Sequence, residues 1–346
     1  MVRVLIVDDS KVVRQMLAKQ LSADPGIEVV GAAPDAYVAR DLILKLRPDV
    51  VTLDIEMPRM DGLTFLRKLM EHYPIPVIII SSVAPRGSQN ALEALRLGAV
   101  DIFCKPGSPH AVGDSSRMLV QQIKAAATAR IEQPRGGIAT ADRKAIPTLA
   151  FSPNRLVAIG ASTGGTRAIE AVIRDFPANA PATLIVQHMP PDFTKSFAES
   201  LNRVCAMDVK EAANGDRLSP GRAFVAPGGF HMVLQRFGTN YQLKVIEGPR
   251  VHYQRPAVDV TFKSVAQVAG QLAVGAVLTG MGADGAEGLL AMRRQGSHTI
   301  AQNEATSVVF GMPKEAIRMG AAERILPLQE IGRGLLSYAS ATGRAA

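Results

Sequence analysis

Four short apolar runs in the first third of the chain, each stopped by a polar residue, restrict the fold more than any other feature. Val2-Arg3-Val4-Leu5-Ile6-Val7 runs into Asp8-Asp9-Ser10, and Val50-Val51-Thr52-Leu53 runs into Asp54. Val77-Ile78-Ile79-Ile80 runs into Ser81-Ser82, and Ile102-Phe103-Cys104 into Lys105-Pro106. Such short runs, separated by helical patterns, read as parallel strands. In an open α/β sheet the functional groups gather at the carboxyl ends of the strands. Asp8, Asp9, Asp54, Ser81 and Lys105 are therefore expected in one crevice. Three clustered carboxylates cannot all stay ionised without a compensating cation. A hard divalent metal with oxygen ligands meets that need and leaves room for a phosphoryl group.

The rest of the pattern supports two α/β domains, as the length of 346 residues also suggests. Ser10 is a good N-cap for a helix that buries Val13, Met16, Leu17 and Leu21 at three- and four-residue spacing. Pro25-Gly26 ends that helix, and residues 27–31 read as a second strand. A helix over Ala36–Leu46 is stopped by Arg47-Pro48. The βα unit repeats five times, with a last helix over about 114–131, and right-handed crossovers then give a doubly wound sheet. Residues 132–154 lack apolar periodicity and contain Pro134, Gly136, Gly137, Pro147 and Pro153, which marks a linker. A second α/β pattern fills 155–346. Strands are expected at 156–159, 182–186, 223–226 and 275–278, helices at 167–175 and 256–268, and the sheet should be mostly parallel.

Charge narrows the choice of partners. The net charge is +8. Residues 1–106 are neutral, with 13 basic and 13 acidic side chains, whereas residues 155–346 carry 20 and 15. A basic surface can steer nucleic acid or an acidic protein. The basic residues of the second domain (Arg217, Arg222, Arg236, Lys244, Arg250, Arg255) are scattered, without aromatic interleaving or a helix-turn-helix pattern, so nucleic acid is not the expected partner. Cys104 and Cys205 have no metal-ligand spacing and read as buried small hydrophobes in a reducing compartment. Met1 leads straight into a strand pattern, and no stretch approaches the roughly 20 apolar residues of a membrane span. A cytoplasmic chain without membrane insertion is expected.

In the acidic crevice, Asp8, Asp9 and Asp54 offer oxygen ligands to Mg²⁺. Asp54, alone at the end of its strand, is placed to attack a phosphoryl group and form an aspartyl phosphate. Lys105 and the Ser81 hydroxyl would bind the phosphoryl oxygens. The competing reading is that the acids only cap the helices that follow them. Asp8-Asp9, then Asp54 followed by Met57-Pro58-Arg59-Met60-Asp61-Gly62, then Lys105-Pro106, resemble the receiver domain of two-component response regulators over about 120 residues. That resemblance implies Asp54 as phosphoacceptor from a histidine kinase, and Mg²⁺ as its cofactor. It also implies the main-chain carbonyl of Glu56 as a metal contact. The position three before the lysine, often an aromatic switch residue in that family, is Ile102 here.

In the second domain, Leu156-Val157-Ala158-Ile159 leads into Gly160-Ala161-Ser162-Thr163-Gly164-Gly165 and then a helix. This is G-x-S-x-G in a strand–turn–helix setting, the context of a nucleophile elbow. A phosphate-cradling loop or a simple N-cap would use the same residues. A serine nucleophile needs a base and a group that orients the base. Among six histidines, His72 and His110 read as surface residues, and His231, His252 and His298 fall in less regular contexts. His188 directly follows a strand in Gln187-His188-Met189-Pro190, so the pattern ranks it ahead of His252. Asp284, in Thr279-Gly280-Met281-Gly282-Ala283-Asp284-Gly285, is the candidate carboxylate. The same stretch spells G-x-G-x-x-G through Gly280, Gly282 and Gly285, with Glu304 19 residues further on. That fingerprint supports a rival reading as a nicotinamide-dependent oxidoreductase. It normally opens the first βαβ unit of its domain, however, and here it comes near the end.

Gly160–Gly165, Gln187–Pro190, Gly280–Gly285 and the stretch from Ala301-Gln302-Asn303-Glu304-Ala305 through Gly311-Met312-Pro313 together resemble the catalytic domain of the chemotaxis protein-glutamate methylesterases. With the receiver and linker, the likeness spans nearly the whole chain. It implies a triad of Ser162, His188 and Asp284 and an oxyanion donor at the Met281 amide, with no cofactor in the esterase domain. The implied substrate is glutamate γ-methyl ester on chemoreceptor cytoplasmic helices, and the same machinery suits a glutamine side-chain amide. The implied phosphodonor is a chemotaxis-type histidine kinase, and the unphosphorylated receiver is expected to cover the Ser162 cleft. A receiver joined to a non-catalytic interaction module remains the third reading.

Overall fold

The computed structural model describes residues 1–81, 85–105, 112–131, 151–152 and 154–340. Ser82, Pro106, His110 and nearly all of the stretch read as a linker lie outside the described residues. The chain divides into two compact units, Met1–Ala141 and Asp142–Ala346. Phe151 already pairs with Ser340 in the second unit, a few residues before the expected start at 155.

The first unit alternates β1 (Val2–Val7), α1 (Lys11–Leu21), β2 (Ile27–Ala33), α2 (Ala36–Leu46), β3 (Val50–Asp54), α3 (Gly62–His72), β4 (Val77–Ser81), α4 (Pro85–Leu97), β5 (Asp101–Cys104) and α5 (Val112–Ala127). The five strands form one parallel sheet in the order β2-β1-β3-β4-β5. Every residue of β3 and β4 is buried, as expected of strands covered on both faces. Helix starts are fixed by side-chain caps. Ser10 accepts from the Val13 amide, Asp35 from Tyr37 and Val38, and Asp61 from Thr64. In α1 only Leu17 and Leu21 are fully buried; Val13 and Met16 are half-buried. Helix α5 stops at Ala127 rather than 131, because Thr128 and Ala129 donate to carbonyls three residues back and tighten the last turn. The strand order reverses between β1 and β3, and the crevice outside their carboxyl ends is the binding position of this architecture.

The second unit runs β6 (Leu156–Ala161), α6 (Gly165–Ile173), β7 (Ala182–Gln187), α7 (Phe193–Asn202), β8 (Asp208–Glu211), β9 (Arg222–Val225), β10 (His231–Phe237), β11 (Asn240–Ile246), α8 (Val258–Val268), β12 (Ala273–Val277), α9 (Ala286–Arg294), β13 (His298–Gln302), α10 (Met312–Arg318), β14 (Arg324–Leu326) and α11 (Leu328–Ala339). Its seven-stranded sheet is parallel throughout, in the order β14-β13-β12-β6-β7-β9-β8. The edge strands β14 and β8 are short, which limits pairing with other chains. Strands β10 and β11 form a separate antiparallel hairpin. Phe224 of β9 and Phe262 of α8 are fully buried in one apolar cluster. Burying each such ring contributes about 1.5–3 kcal/mol, so packing fixes where α8 lies against the sheet.

Neither cysteine forms a disulfide, and both are half-buried rather than buried. Burial, helped by Glu170, pushes the Cys205 thiol up to about 11 and leaves it unreactive at neutral pH. Among the described residues no helix is long and apolar enough to cross a membrane.

Candidate active site

The crevice of the first unit assembles as its strand ends demand. Asp8 follows β1, Asp54 ends β3, Ser81 ends β4 and Lys105 follows β5. Asp8, Asp54 and Ser81 are buried, whereas Asp9 is exposed. The Lys105 ammonium lies 2.6 Å from Asp54 Oδ2 and 3.0 Å from Asp8 Oδ2. The Ser10 amide donates to Asp8 Oδ1 at 2.9 Å, and the Glu56 amide to Asp54 Oδ1 at 3.3 Å. The Arg14 guanidinium donates to the carbonyls of Asp8 and Asp9 instead of neutralising their carboxylates. Burial raises the pKa of Asp54, and the Asp8 charge adds to that; Lys105 offsets only part of it. Burial works against the Lys105 ammonium, but Asp54 and Asp8 outweigh it and hold its pKa above the ordinary lysine value. Among the described residues Lys105 therefore faces three carboxylates whose oxygens lie within 4.8 Å of one another. Asp8 Oδ2 receives no directed hydrogen bond. A hard cation such as Mg²⁺ fits this donor set.

In the second unit, β12, β6 and β7 are neighbours at the centre of the sheet, and their carboxyl ends carry Asp284, Ser162 and His188. The register pairs Ala161 with Gln187, so Ser162 and His188 leave adjacent strands at the same level. The Ser162 amide donates to the Thr279 carbonyl at 3.0 Å. The Ser162 carbonyl accepts from Gly165 N–H at 2.7 Å and Gln187 Nε2 at 2.8 Å. Thr279 Oγ1 donates to the Thr163 carbonyl at 3.0 Å and accepts from the Val309 amide at 2.9 Å, tying three loops together. Gly164, with φ of 76°, takes the left-handed conformation that turns the chain into α6.

His188 Nε2 lies 2.7 Å from Asp284 Oδ2, and both side chains are almost wholly buried. Asp284 Oδ2 also accepts from the Val258 amide at 2.7 Å, and Oδ1 from the Asp259 amide at 2.9 Å. The carboxylate therefore sits at the positive end of α8. Burial alone would raise the Asp284 pKa. The His188 hydrogen bond and charge, with the two amides, outweigh burial and hold the carboxyl below its usual range. His188 Nδ1 is buried without a hydrogen-bond partner. With Nε2 committed to Asp284, Nδ1 is the ring atom left to receive a proton.

The two leading histidines are thus separated by their partners. His188 meets Asp284, while His252 lies 3.1 Å from Asp259. His231 is structural: its Nδ1 accepts from the Ala257 amide and its Nε2 faces the Pro249 carbonyl. His298 begins β13, at the opposite end of the sheet, stacked on Tyr338. His72 is exposed. Sequence offers His252 only as the alternative to His188, and it does not single out Gln187, Thr279 or Asp259. Gln187 and Thr279 adjoin motif residues and were open to notice, whereas Asp259 is visible only once α8 meets the 279–285 loop.

Gly280 of that loop packs against the serine. The Gly311 and Met312 amides both donate to the Gly280 carbonyl, and a Cβ added at Gly280 would lie 2.7 Å from Ser162 Cβ. Met281 follows in the same loop. The Met312 sulfur would lie closer still to that added Cβ, so Gly280→Ala is expected to displace both Met312 and Ser162 and to lower turnover tenfold or more while the protein stays folded. Steady-state kinetics beside circular dichroism would check this. An unimpaired variant would mean that this close approach is not needed.

Both units of the chain resemble known proteins. Residues 157–335 match the CheB methylesterase family and residues 4–115 the response regulator receiver domain. A protein-glutamate methylesterase/protein-glutamine glutaminase from Syntrophus aciditrophicus is 54% identical over 95% of this chain and 97% of its own length. One from Anaeromyxobacter dehalogenans is 52% identical over 99% of this chain and 96% of its own. The crystal structure of the Thermotoga maritima CheB methylesterase catalytic domain is similar to 53% of this chain and covers 97% of its own, with a TM-score of 0.52 and 38% identity. These likenesses overturn the oxidoreductase reading of Gly280, Gly282, Gly285 and Glu304, as well as the non-catalytic module. The chain belongs to the CheB methylesterase family and joins its esterase domain to a response regulator receiver domain.

Proposed function

We propose that the chain hydrolyses glutamate γ-methyl esters on the cytoplasmic helices of chemoreceptors, and that phosphorylation of Asp54 switches this activity on. The observation that carries the reading is the buried His188–Asp284 pair set beside Ser162 at the ends of three neighbouring strands. Ser162 Oγ attacks the ester carbonyl carbon while His188 Nδ1 takes its proton. Asp284 holds the imidazole and stabilises the imidazolium. The Met281 amide is suited to receive the developing oxyanion, a contact worth roughly 2.7–4 kcal/mol. The carbon–methoxy bond then breaks, and His188 returns its proton to the leaving oxygen, giving methanol and a glutamyl ester on Ser162. Water, losing a proton to His188, attacks that ester, and Ser162 recovers the proton as free glutamate forms. With an amide in place of the ester, the leaving group is ammonia. That activity appears in the names of the relatives, protein-glutamine glutaminase.

On the receiver, Asp54 Oδ is the phosphoacceptor, with a chemotaxis-type histidine kinase as donor. Lys105 and Ser81 would bind the phosphoryl oxygens. Asp8, Asp9, Asp54 and the Glu56 carbonyl would hold Mg²⁺, which supplies charge neutralisation at the phosphoryl group when bound. Phosphorylation adds about −1.5 to −2 charges. It raises turnover only by favouring one state of the protein over another. We take 1–131 as the receiver, 132–154 as the linker and 155–346 as the esterase.

The test is methanol release from methylated chemoreceptor with Mg²⁺ and a small phosphodonor, for wild type, Ser162→Ala and Asp54→Ala. Release by wild type, none by Ser162→Ala, and loss of phosphodonor stimulation in Asp54→Ala are expected. Equal release by wild type and Ser162→Ala would remove the serine mechanism, and stimulation that survives Asp54→Ala would remove the switch.

A further inference from the structure

Behind the His188–Asp284 pair stands a second imidazole–carboxylate pair, His252–Asp259, built to the same plan. Asp259 is as deeply buried as Asp284, and polar atoms of His252, Asp259 and Asp284 all lie within 4.8 Å of one another. The two acids are cross-wired through two helices. Asp284 stands just before α9 and accepts the Val258 and Asp259 amides at the start of α8. Asp259 lies in the first turn of α8 and accepts the Gly288 amide, in the first turn of α9, at 2.6 Å. Each acid then carries one histidine. His252 is held over Asp259 by a tight turn in which His252 and Tyr253 have φ of 50° and 64°, a left-handed conformation that non-glycine residues rarely adopt. Val251 and Gln254 close this turn with reciprocal hydrogen bonds of 3.0 and 2.8 Å.

Two buried carboxylates this close cannot be electrically independent. We infer that Asp259, paired with His252, is a positioning residue for ester hydrolysis: it fixes the Asp284 carboxylate from behind and sustains the negative potential that favours the His188 imidazolium. This inference rests on the esterase reading above.

The groups facing Asp259 are few. Lys263, one turn along α8, adds positive charge but is paired with Glu287 of α9 at 2.6 Å. His231 of β10 is engaged by the Ala257 amide and the Pro249 carbonyl. Gly288 gives its amide, and Asp284 gives a like charge. Burial and the Asp284 charge raise the Asp259 pKa, with Gly288, Lys263 and His252 opposing. His252 is the solvent-facing member, its side chain 40% exposed against 1% for Asp259. A positive charge on His252 would offset the negative charge of Asp259.

Two substitutions then act in opposite directions. Asp259→Asn keeps the shape and an acceptor for Gly288 but removes the charge, so the His188 imidazolium loses support. The acid limb of kcat/KM against pH should move down by roughly one pH unit, and kcat should fall several-fold. His252→Gln keeps a neutral donor to Asp259 and removes a ring that can carry positive charge, so the acid limb should move up. The full chain would be assayed for methanol release from a methylated chemoreceptor fragment, with Mg²⁺ and a small phosphodonor at every pH. All variants share one receiver, so its own pH dependence cancels in the comparison. The titration midpoint of the His188 Cε1–H resonance, followed by NMR, should shift in the same directions.

Unmoved limbs and midpoints in both variants would overturn the inference, whatever the loss of rate, because a purely structural Asp259 lowers activity without shifting the profile. If Asp259→Asn does not fold, the exposed His252→Gln decides alone by the direction of its shift. Absence of methanol release by wild type would instead sink the esterase reading, and the His188 NMR midpoint would still decide the electrostatic coupling.

Discussion

Ser162→Ala is expected to lower kcat for methyl-ester hydrolysis by about 10⁶-fold, the size of loss typical when the nucleophile of a serine triad is removed. Ser162 is half-buried on the turn between β6 and α6, and its main chain is fixed from three sides by Thr279, Gly165 and Gln187. None of these bonds uses the hydroxyl. Alanine therefore keeps the turn, the sheet and the His188–Asp284 pair, and loses only the attacking atom. Residual activity from the oxyanion donor and substrate binding should stay about 10³–10⁴-fold above the uncatalysed rate. Quantified methanol release beside an unchanged thermal midpoint would check both halves. A loss smaller than a hundredfold would mean that water, and not Ser162, makes the attack.

Asp284→Asn is expected to reduce kcat by about 10⁴-fold, and here the reason lies in donors and acceptors. Asp284 accepts three hydrogen bonds, from His188 Nε2 and from the Val258 and Asp259 amides. An asparagine offers one oxygen. With that oxygen toward His188 Nε2 and the Val258 amide, its NH₂ confronts the Asp259 amide; with it toward the Asp259 amide, the NH₂ confronts both the Val258 amide and His188. Either way the negative charge that supports the imidazolium is lost, and in the second orientation the imidazole proton also moves to Nδ1, the atom that has to accept the serine proton. The variant should also be less stable at neutral pH by roughly 1–3 kcal/mol, since a buried donor is left unsatisfied. Because the folded Asp284 has a lowered pKa, its stabilisation is present above the unfolded value of about 3.9 and is lost as pH falls through the folded one. The gap in stability between wild type and variant should therefore narrow in acid, which denaturant titrations at several pH values would reveal. The double variant Ser162→Ala/Asp284→Asn should be no slower than Ser162→Ala, because the two groups act as one unit. A further multiplicative loss would separate Asp284 from the serine pathway.

Much of this site could be seen in the chain because most of its residues end or directly follow an apolar run. Asp8, Asp54, Ser81 and Lys105 end or follow β1, β3, β4 and β5, and Ser162 and His188 follow β6 and β7, so periodicity placed them at carboxyl edges before any contact was known. Caps were equally legible, since Ser10 acts within three residues of itself. What stayed hidden depends on distant partners. Gly280 and Gly285 spell a dinucleotide fingerprint, but Gly280 is required by a serine far back in the chain and Gly285 by its φ of 90° at the start of α9. His252 and Asp259 show no local pattern, because their meaning comes from α8 packing on α9. The β10–β11 hairpin was missed for another reason. Its outer positions are polar and it stands apart from the main sheet, so it never produces a fully apolar run.

The central placement of β6 has a consequence for how this enzyme comes into being. The strand that delivers Ser162 is the first of its sheet to be synthesised, yet its partner on one side is β12. The ties that complete the site join residues 96 positions apart for His188–Asp284 and 116 apart for Thr163–Thr279. Contacts so distant in sequence form late and slowly. A growing chain that already carries its serine, its histidine and the whole receiver is therefore expected to be hydrolytically silent, with the capacity to cut esters arriving as the sheet closes.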